Sequence, residues 1–177
     1  MRKLEVIASG FGGQGIMVLG RILAQAGMRE GMHVTFLPSY GSEMRGGTAN
    51  VQVILSDAPI SSPLIVTADA LIAMNEPSVV KFAGRVRPGG IIVINESLGA
   101  APAHPPENAR VCMVPCTQMA IDLGNERVCS MIALGRLVRE SAVVPLDSIV
   151  AQMKVQTAKY AAMQELNERA LRLGYGG

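Results

Sequence analysis

The first residues whose types and spacing could support chemistry form a glycine-rich segment near the N-terminus. Residues 10–15 read GFGGQG and match the spacing G-x-G-x-x-G between an apolar run and a helical pattern. Glycine permits a tight turn there and lets a ligand approach the bare backbone. The N–H groups at the start of the following helix attract anions. The motif therefore predicts a site for phosphate or another anion, and the alternative is a tight turn with nothing bound.

A dinucleotide site requires an acidic residue that the expected position lacks. NAD sites place an Asp or Glu at the end of the second strand, where it binds the ribose hydroxyls. Here that strand ends at Phe36 to Ser39 without an acid, Glu30 precedes the strand, and Glu43 falls in the next loop. The sequence therefore disfavours NAD.

A second glycine-rich segment, residues 40–50, reads YGSEMRGGTAN. Arg45 lies beside two glycines and could present its guanidinium next to open backbone donors, an arrangement that suits phosphate or carboxylate. The alternative is a structural turn in which Arg45 pairs with Glu43 or with a neighbouring chain.

The chain shows no agent for catalysis of its own. The spacing of Cys112, Cys116 and Cys129 fits neither a zinc site nor an iron–sulfur ligand set, so buried, inert thiols are expected. His33 and His104 stand far apart, and no motif links either to a nucleophile. A G-x-S-x-G elbow and a Walker A sequence are both absent from the sequence.

The elements that must position the glycine segments alternate between strands and helices. The fold class predicted is α/β: a single-domain, Rossmann-like three-layer sandwich over residues 1–177, with a mostly parallel sheet and helices on both faces. Turns or stops are expected at Gly31, Pro38, residues 87–90 and Gly174. The predicted strands are 4–9, 33–37, 48–55, 68–74, 91–95 and 111–114, and the predicted helices are 15–29, 76–83, 117–124, 126–139, 146–160 and 163–173.

Composition limits the possible partners. The chain has 177 residues, of which 49% are hydrophobic and only 17% charged, so either a partner covers part of its surface or its aliphatic core is unusually full. The net charge of +2 is interspersed along the chain, which argues against nucleic acid. Neither a signal peptide nor a membrane span is expected, and three cysteines fit a reducing cytoplasm.

The two glycine segments together resemble a known family. GFGGQGIMVLGRILAQAG and SYGSEMRGGTANVQVILSD, about 30 residues apart, are similar to the gamma subunit, or gamma domain, of 2-oxoacid:ferredoxin oxidoreductases. The resemblance continues through residues 123–125 and 131–135 to residues 166–167 and 174–175. It therefore covers nearly the whole chain.

The resemblance implies a place in a larger enzyme. Such complexes convert a 2-oxoacid and coenzyme A to acyl-CoA and CO2 and pass electrons to ferredoxin. Thiamine diphosphate and Mg2+ are then expected on alpha and beta partners, and [4Fe-4S] clusters on beta and delta. The gamma chain would be inactive alone and would recruit coenzyme A. The implied anion-binding surface, facing alpha and beta, comprises Gly12, Gly13, Gln14, Gly15, Ser42, Arg45, Gly46 and Gly47.

Several alternatives stay open at this stage. The 2-oxoacid is not visible in the sequence, although a short stand-alone gamma chain favours 2-oxoglutarate, and a gamma-like subunit of an indolepyruvate oxidoreductase is the nearest alternative. A stand-alone nucleotide-binding oxidoreductase and an assembly protein without a ligand belong to other classes. The residues of both glycine segments could also have a purely structural role and hold gamma against alpha. The isolated chain could also form a homodimer.

Overall fold

The computed structural model describes residues 1–40 and 48–176, and these form an α/β fold. The strands are β1 (Lys3–Phe11), β2 (His33–Tyr40), β3 (Thr48–Ser56), β4 (Ala68–Ala73), β5 (Val86–Asn95) and β6 (Arg110–Val114). The α-helices are α1 (Ile16–Arg29), α2 (Glu76–Phe82), α3 (Cys116–Asp122), α4 (Cys129–Ser141), α5 (Leu146–Gln156) and α6 (Ala161–Gly176). Two 3-10 turns, Ala83–Arg85 and Glu126–Val128, precede β5 and α4.

The six strands form one sheet in the order β2-β3-β1-β4-β5-β6. Strands β1, β4, β5 and β6 are parallel neighbours, whereas β3 runs antiparallel to both β1 and β2. From β1 the chain crosses through α1 to β2 on one side, while β4, β5 and β6 continue on the other side. The end of β1 therefore lies where the direction of winding reverses, the place at which open α/β sheets usually bind ligands.

The two faces of the sheet are covered unequally. Alternation along β1 sends Val6 and Ala8 to one face and Ile7 to the other, as expected for a strand buried on both sides. Helices α1, α3, α4, α5 and α6 all contribute to the larger core on the first face. Helix α2 and the loop before β4 cover the second face around Ile65, Leu71 and Phe82. The prediction of a Rossmann-like, mostly parallel sheet with helices on both faces is thus confirmed.

Two strand predictions were wrong at their ends. β2 does not stop at Pro38 but continues to Tyr40, because it is an edge strand and tolerates a residue without an N–H group. The predicted turn at residues 87–90 lies inside β5. Val86 pairs with Ala68 and Ile91 with Ala70, so the intervening residues bulge out of the ladder.

Helix ends also differ from the prediction, most clearly at Gly174. This glycine does not end the last helix, which continues to Gly176. A β-carbon at Gly174 would collide with the carbonyl oxygen of Ile132, and one at Gly135 with that of Leu171. The two glycines therefore allow α4 and α6 to cross in close contact. The helix predicted over 126–139 begins with a 3-10 turn, and the one predicted to reach residue 160 ends at Gln156.

No helix in residues 1–40 or 48–176 is long and apolar enough to cross a membrane.

Candidate functional site

The first glycine segment forms the loop between β1 and α1. Gly13 has a φ of 92° and Gly15 a φ of 77°, both in the left-handed region that favours glycine. Gly15 is the N-cap of α1, and a β-carbon there would lie 2.5 Å from the Ser130 hydroxyl oxygen. At Gly12 and Gly13 a β-carbon would meet no described atom within 4 Å. Close packing thus explains Gly15, whereas Gly12 and Gly13 leave their backbone open to an approaching group.

Gln14 holds this loop in shape. Its Oε1 accepts hydrogen bonds from the Phe11 N–H at 2.7 Å and from Asn75 Nδ2 at 3.3 Å, and its Nε2 donates to the Met74 carbonyl at 3.4 Å. The side chain therefore ties the loop to the end of β4. Its amide is already engaged, so Gln14 positions the open backbone beside it more than it offers free donors of its own.

A buried polar network supports the loop from below. The Ser9 and Ser78 hydroxyl oxygens are 2.9 Å apart, and Asn75 Oδ1 accepts from the Ser78 N–H at 3.0 Å as the cap of α2. Asn95 Nδ2 donates to the Met74 carbonyl at 3.3 Å. These side chains lie at the carboxyl ends of β1, β4 and β5 and are almost fully buried. Every step is a neutral hydrogen bond, so the network fixes geometry without adding charge.

Asn95 also positions the start of α3. Its Nδ2 donates to the Thr117 hydroxyl at 2.9 Å, and its Oδ1 accepts from the Thr117 N–H at 3.2 Å. Thr117 and Gln14 line one cleft, referred to here as the loop cleft. Its volume is about 220 Å³, and its lining consists of Gly13, Gln14, Thr117, Glu126, Arg127 and Cys129.

Two helix N-termini meet beside the loop. Neither α1 nor α4 has a side-chain cap among the described residues, and neither carries an acid in its first turn. The closeness of Gly15 to Ser130 shows that these two ends are adjacent. The N–H groups at the start of α1 and the positive end of its dipole favour a negatively charged ligand here. Helix α4, by contrast, continues a 3-10 turn in which Asn125 Oδ1 accepts from the Arg127 N–H and the Glu126 carbonyl accepts from the Cys129 N–H.

A second cleft opens between these helices and is called the interhelical cleft below. Its volume is about 170 Å³, and it shares Arg127 with the loop cleft. A third, largely apolar cleft of about 340 Å³ lies on the other side of the loop beside Phe11 and Tyr40. The lining of the interhelical cleft includes Gly15, Val18, Arg127, Ser130, Met131 and Tyr160.

Burial raises the pKa of the two thiols near the site. Burial, followed by the neighbouring Cys129, raises the pKa of Cys116 to about 12, and burial is the main cause that raises the pKa of Cys129. Both residues begin helices, a position that normally lowers a thiol pKa, so burial outweighs the helix dipole. All three cysteines are buried and unpaired by disulfides, as predicted. The described residues contain no cluster of ligands suited to a metal ion.

The predicted site residues fall into two groups. Gly12, Gly13, Gln14 and Gly15 come together in the β1–α1 loop. Ser42, Arg45, Gly46 and Gly47 lie outside the described residues, so their part in the surface stays a prediction. Sequence reasoning missed Thr117, Arg127 and Ser130, because more than a hundred residues separate them from the loop. The only local signal was Asn125, whose side chain accepts from the Arg127 N–H at 3.0 Å and caps the turn before α4.

Comparison with known proteins agrees with this architecture. A family model described as pyruvate ferredoxin/flavodoxin oxidoreductase matches residues 5–177. The 2-oxoglutarate synthase subunit KorC of Methanocaldococcus jannaschii is 30% identical over 177 residues, covering 99% of this chain and 93% of that protein. The ketoisovalerate oxidoreductase subunit VorA of Methanothermobacter marburgensis is 40% identical over 134 residues, covering 76% of this chain and 28% of that protein. The chain thus matches little more than a quarter of that relative's length.

A solved structure extends the comparison to three dimensions. The gamma subunit of a keto/oxoacid ferredoxin oxidoreductase from Geobacter sulfurreducens superposes with a TM-score of 0.84 at 29% identity, covering 98% of this chain and 96% of that one. The family match, the full-length relative and the structural match point the same way. The chain therefore belongs to the pyruvate ferredoxin/flavodoxin oxidoreductase family and is of its gamma-subunit type.

Proposed function

We propose that this chain works as the gamma component of a multisubunit 2-oxoacid:ferredoxin oxidoreductase. Alpha, beta and delta partners would carry thiamine diphosphate, Mg2+ and [4Fe-4S] clusters and would reduce ferredoxin. In this proposal the chain has no catalytic residue and contributes assembly and recruitment of coenzyme A. Membership of the family and the gamma-type fold support the proposal.

The observation that carries the ligand proposal is the open glycine backbone at the uncapped N-terminus of α1. Gly12 and Gly13 leave room for a ligand, while the start of α1 supplies N–H donors and positive potential. Coenzyme A carries a pyrophosphate and a further phosphate, so the donor set suits its charge. The raised thiol pKa values near the site also favour binding over chemistry, because a protonated, buried thiol is a poor nucleophile.

Each residue of the loop then has a physical role. Gly12 and Gly13 let the pyrophosphate approach the backbone, Gln14 holds that backbone in place, and Gly15 begins the helix whose amides face the anion. Arg127 adds a guanidinium at the wall that the loop cleft shares with the interhelical cleft. Ser42, Arg45, Gly46 and Gly47 remain the proposed second half of this surface.

The substrate of the complex is proposed to be 2-oxoglutarate. The similarity to the 2-oxoglutarate synthase subunit runs along almost the full length of both chains, whereas the more identical ketoisovalerate relative is matched over only part of its length. An indolepyruvate oxidoreductase is the alternative within the family. The gamma chain does not build the substrate pocket, so the assay must decide among them.

Affinity purification of the chain from its native host under anaerobic conditions tests the complex. We expect partner polypeptides that contain iron and thiamine diphosphate, and reduction of ferredoxin that requires both coenzyme A and a 2-oxoacid. A panel of 2-oxoglutarate, pyruvate, 2-oxoisovalerate and indolepyruvate then ranks the substrates. Recovery of the chain alone, or tight binding of NADH in a fluorescence titration, would instead favour a stand-alone nucleotide-binding protein.

A matched pair of glycine variants tests the loop in that complex. Gly12 and Gly84 both have open space where a β-carbon would point, but only Gly12 lies in the loop. We expect Gly12→Val to raise the KM for coenzyme A by about tenfold with little change in kcat, because a side chain blocks approach to the backbone. Gly84→Val should change neither constant. Equal values for both variants would remove the loop from the ligand site, and Arg45→Ala tests the second glycine segment in the same assay.

A further inference from the structure

We propose that helix α2 is the surface through which two copies of this chain associate, with their α2 helices packed antiparallel about a two-fold axis. The exposed side of this helix, called the α2 face below, consists of Glu76, Pro77, Val80 and Lys81, and the other residues of the helix are buried. The α2 face is a protein contact surface that requires no ligand, so the inference goes beyond the proposed function.

The second face of the sheet is thinly covered. Five helices pack on the first face, whereas α2, which is seven residues long, and the loop before β4 cover the second. Residues 58–68 and 97–103 contain no charged side chain. Val66, Val80 and Leu98 are 82%, 77% and 44% exposed, respectively. Apolar side chains that protrude from a surface with few charges are typical of a protein contact surface.

The exposed apolar side chains lie along α2 from one end to the other. At its N-terminal end, the Leu98 carbonyl accepts a hydrogen bond from the Glu76 N–H at 2.9 Å. At its C-terminal end, Arg85 in the following 3-10 turn donates from Nε to the Val66 carbonyl at 3.3 Å. Apolar residues therefore flank α2 at both ends, and Val80 lies between them on the helix itself.

The α2 face also carries two charges of opposite sign. Glu76 and Lys81 are five residues apart, and side chains on a helix meet at spacings of three or four, so these two do not face each other. Neither forms an ion pair with another described residue. Glu76 Oε2 accepts from the Ala100 N–H at 2.7 Å, and Lys81 Nζ lies 5.3 Å from the centre of the Phe82 ring. The face is thus negative at its N-terminal end and positive at its C-terminal end.

A two-fold axis through the middle of α2 makes this face complementary to itself. The axis brings Glu76 of each copy against Lys81 of the other, and Pro77 against Val80. The apolar residue beside one end of the helix then meets the apolar residue beside the opposite end of the second helix. A parallel arrangement would place like charges together, so the charge pattern selects the antiparallel one. It also favours a second copy over a partner of uniform charge.

Sedimentation equilibrium of the full chain over a range of concentrations tests this surface. We expect the wild type to dimerise reversibly with a Kd between about 1 and 100 μM, as for a small interface. Val80→Glu should raise this Kd by about a hundredfold, because each dimer would bury two carboxylates at its centre. Lys81→Glu should raise it by about tenfold, because two attractive pairs become two repulsive ones. Combining Lys81→Glu with Glu76→Lys reverses both charges and should return the Kd to within about threefold of the wild type.

Val155→Glu and Lys159→Glu are the matched controls. Both residues are exposed, and they lie on and directly after α5, which packs on the first face of the sheet. These variants introduce the same side chain away from the α2 face, so the Kd should not change. A wild type that stays monomeric up to about 100 μM would overturn the inference. So would a double charge reversal that fails to restore association, or controls that weaken association as much as the variants of α2.

Carbodiimide cross-linking identifies the contact directly. The reagent joins a carboxylate to an amine that it touches, and a mixture of unlabelled chains and chains labelled with heavy nitrogen distinguishes links between copies from links within one. We expect mixed-isotope peptides that join Glu76 to Lys81, and their loss in Val80→Glu. Links found only within single chains would overturn the inference. None of these measurements involves coenzyme A or other subunits, so their failure would leave the proposed function standing.

The proposed function is tested separately by the affinity purification, and its failure would not affect the dimer.

Discussion

The two ends of the parallel strands are built from opposite kinds of interaction. At the end where the strands begin, Arg87 contacts Glu5 at 3.1 Å and Asp69 at 2.8 Å, and Lys3 contacts Glu5 at 3.2 Å. Asp69 also accepts a hydrogen bond from the Glu5 N–H at 2.7 Å. Each of these charged side chains therefore forms an ion pair within the protein.

At the end where the strands finish, the interactions are neutral and incomplete. Asn75 and Asn95 hold the loop and the start of α3 through amide hydrogen bonds. Around them, the N-terminus of α1 remains uncapped by described side chains, and the guanidinium of Arg127 forms no ion pair with a described residue. One end therefore satisfies its own electrostatics, whereas the other leaves the N–H groups at the start of α1 without a described side-chain cap.

The largest expected effect comes from the buried polar network at the end where the parallel strands finish. Asn95→Ala should lower the free energy of unfolding by about 2–4 kcal/mol, because it leaves the Thr117 N–H without its partner and removes one of the two donors to the Met74 carbonyl, the other being Gln14 Nε2. Ser97→Ala is the control, since exposed Ser97 accepts only one bond, from the Gln118 N–H at 3.3 Å. Urea denaturation measures both. Similar losses for the two variants would show that the network is not what holds this end together.

A smaller effect distinguishes two glycines of the same loop. Gly15→Ala should cost about 1–3 kcal/mol, because the new β-carbon meets the Ser130 oxygen at 2.5 Å on a backbone that already has a positive φ. Gly12→Ala should change stability by less than about 0.5 kcal/mol, because its β-carbon points into open space. Thermal unfolding of the two variants tests the division of the loop into a packed half and an open half. Comparable melting temperatures would contradict it.

The buried thiol of Cys116 predicts how the stability of the protein depends on pH. The pKa of Cys116 is raised to about 12, first by burial, so the native state keeps this thiol protonated at a pH where the unfolded chain ionises it. Stability from this group is complete below the unfolded pKa near 9 and falls by about 1.4 kcal/mol per unit as the pH rises towards 12. Cys116→Ala should flatten this slope between pH 9 and 10.5 in denaturant titrations. An unchanged slope would mean that the thiol is accessible in the native state.

The sequence predicted the structure correctly where neighbouring residues along the chain determine the local geometry. The β1–α1–β2 unit and its glycine loop were predicted, because strand, turn and helix signals follow one another within about 30 residues. Helix α6 was mispredicted because Gly174 has two possible meanings, a helix stop or a close helix contact, and only its packing against Ile132 decides between them. Arg127 and Ser130 escaped prediction for a related reason. Their closeness to Gly15 arises from packing of α4 against α1, and no spacing along the chain reports it.

The smallest expected effect on stability comes from substituting one arginine at each end of the sheet, Arg87 and Arg127. Arg87→Gln should lower the free energy of unfolding by about 1 kcal/mol at low salt, since Glu5 and Asp69 are mostly buried but Arg87 itself is 46% exposed and screened. That loss should shrink in 1 M NaCl. Arg127→Gln should change stability by no more than about 0.5 kcal/mol at either salt concentration, because exposed Arg127 forms no ion pair with a described carboxylate. A stability loss at Arg127 as large as that at Arg87 would show that its charge is used within the fold, and the two ends of the sheet would then no longer differ.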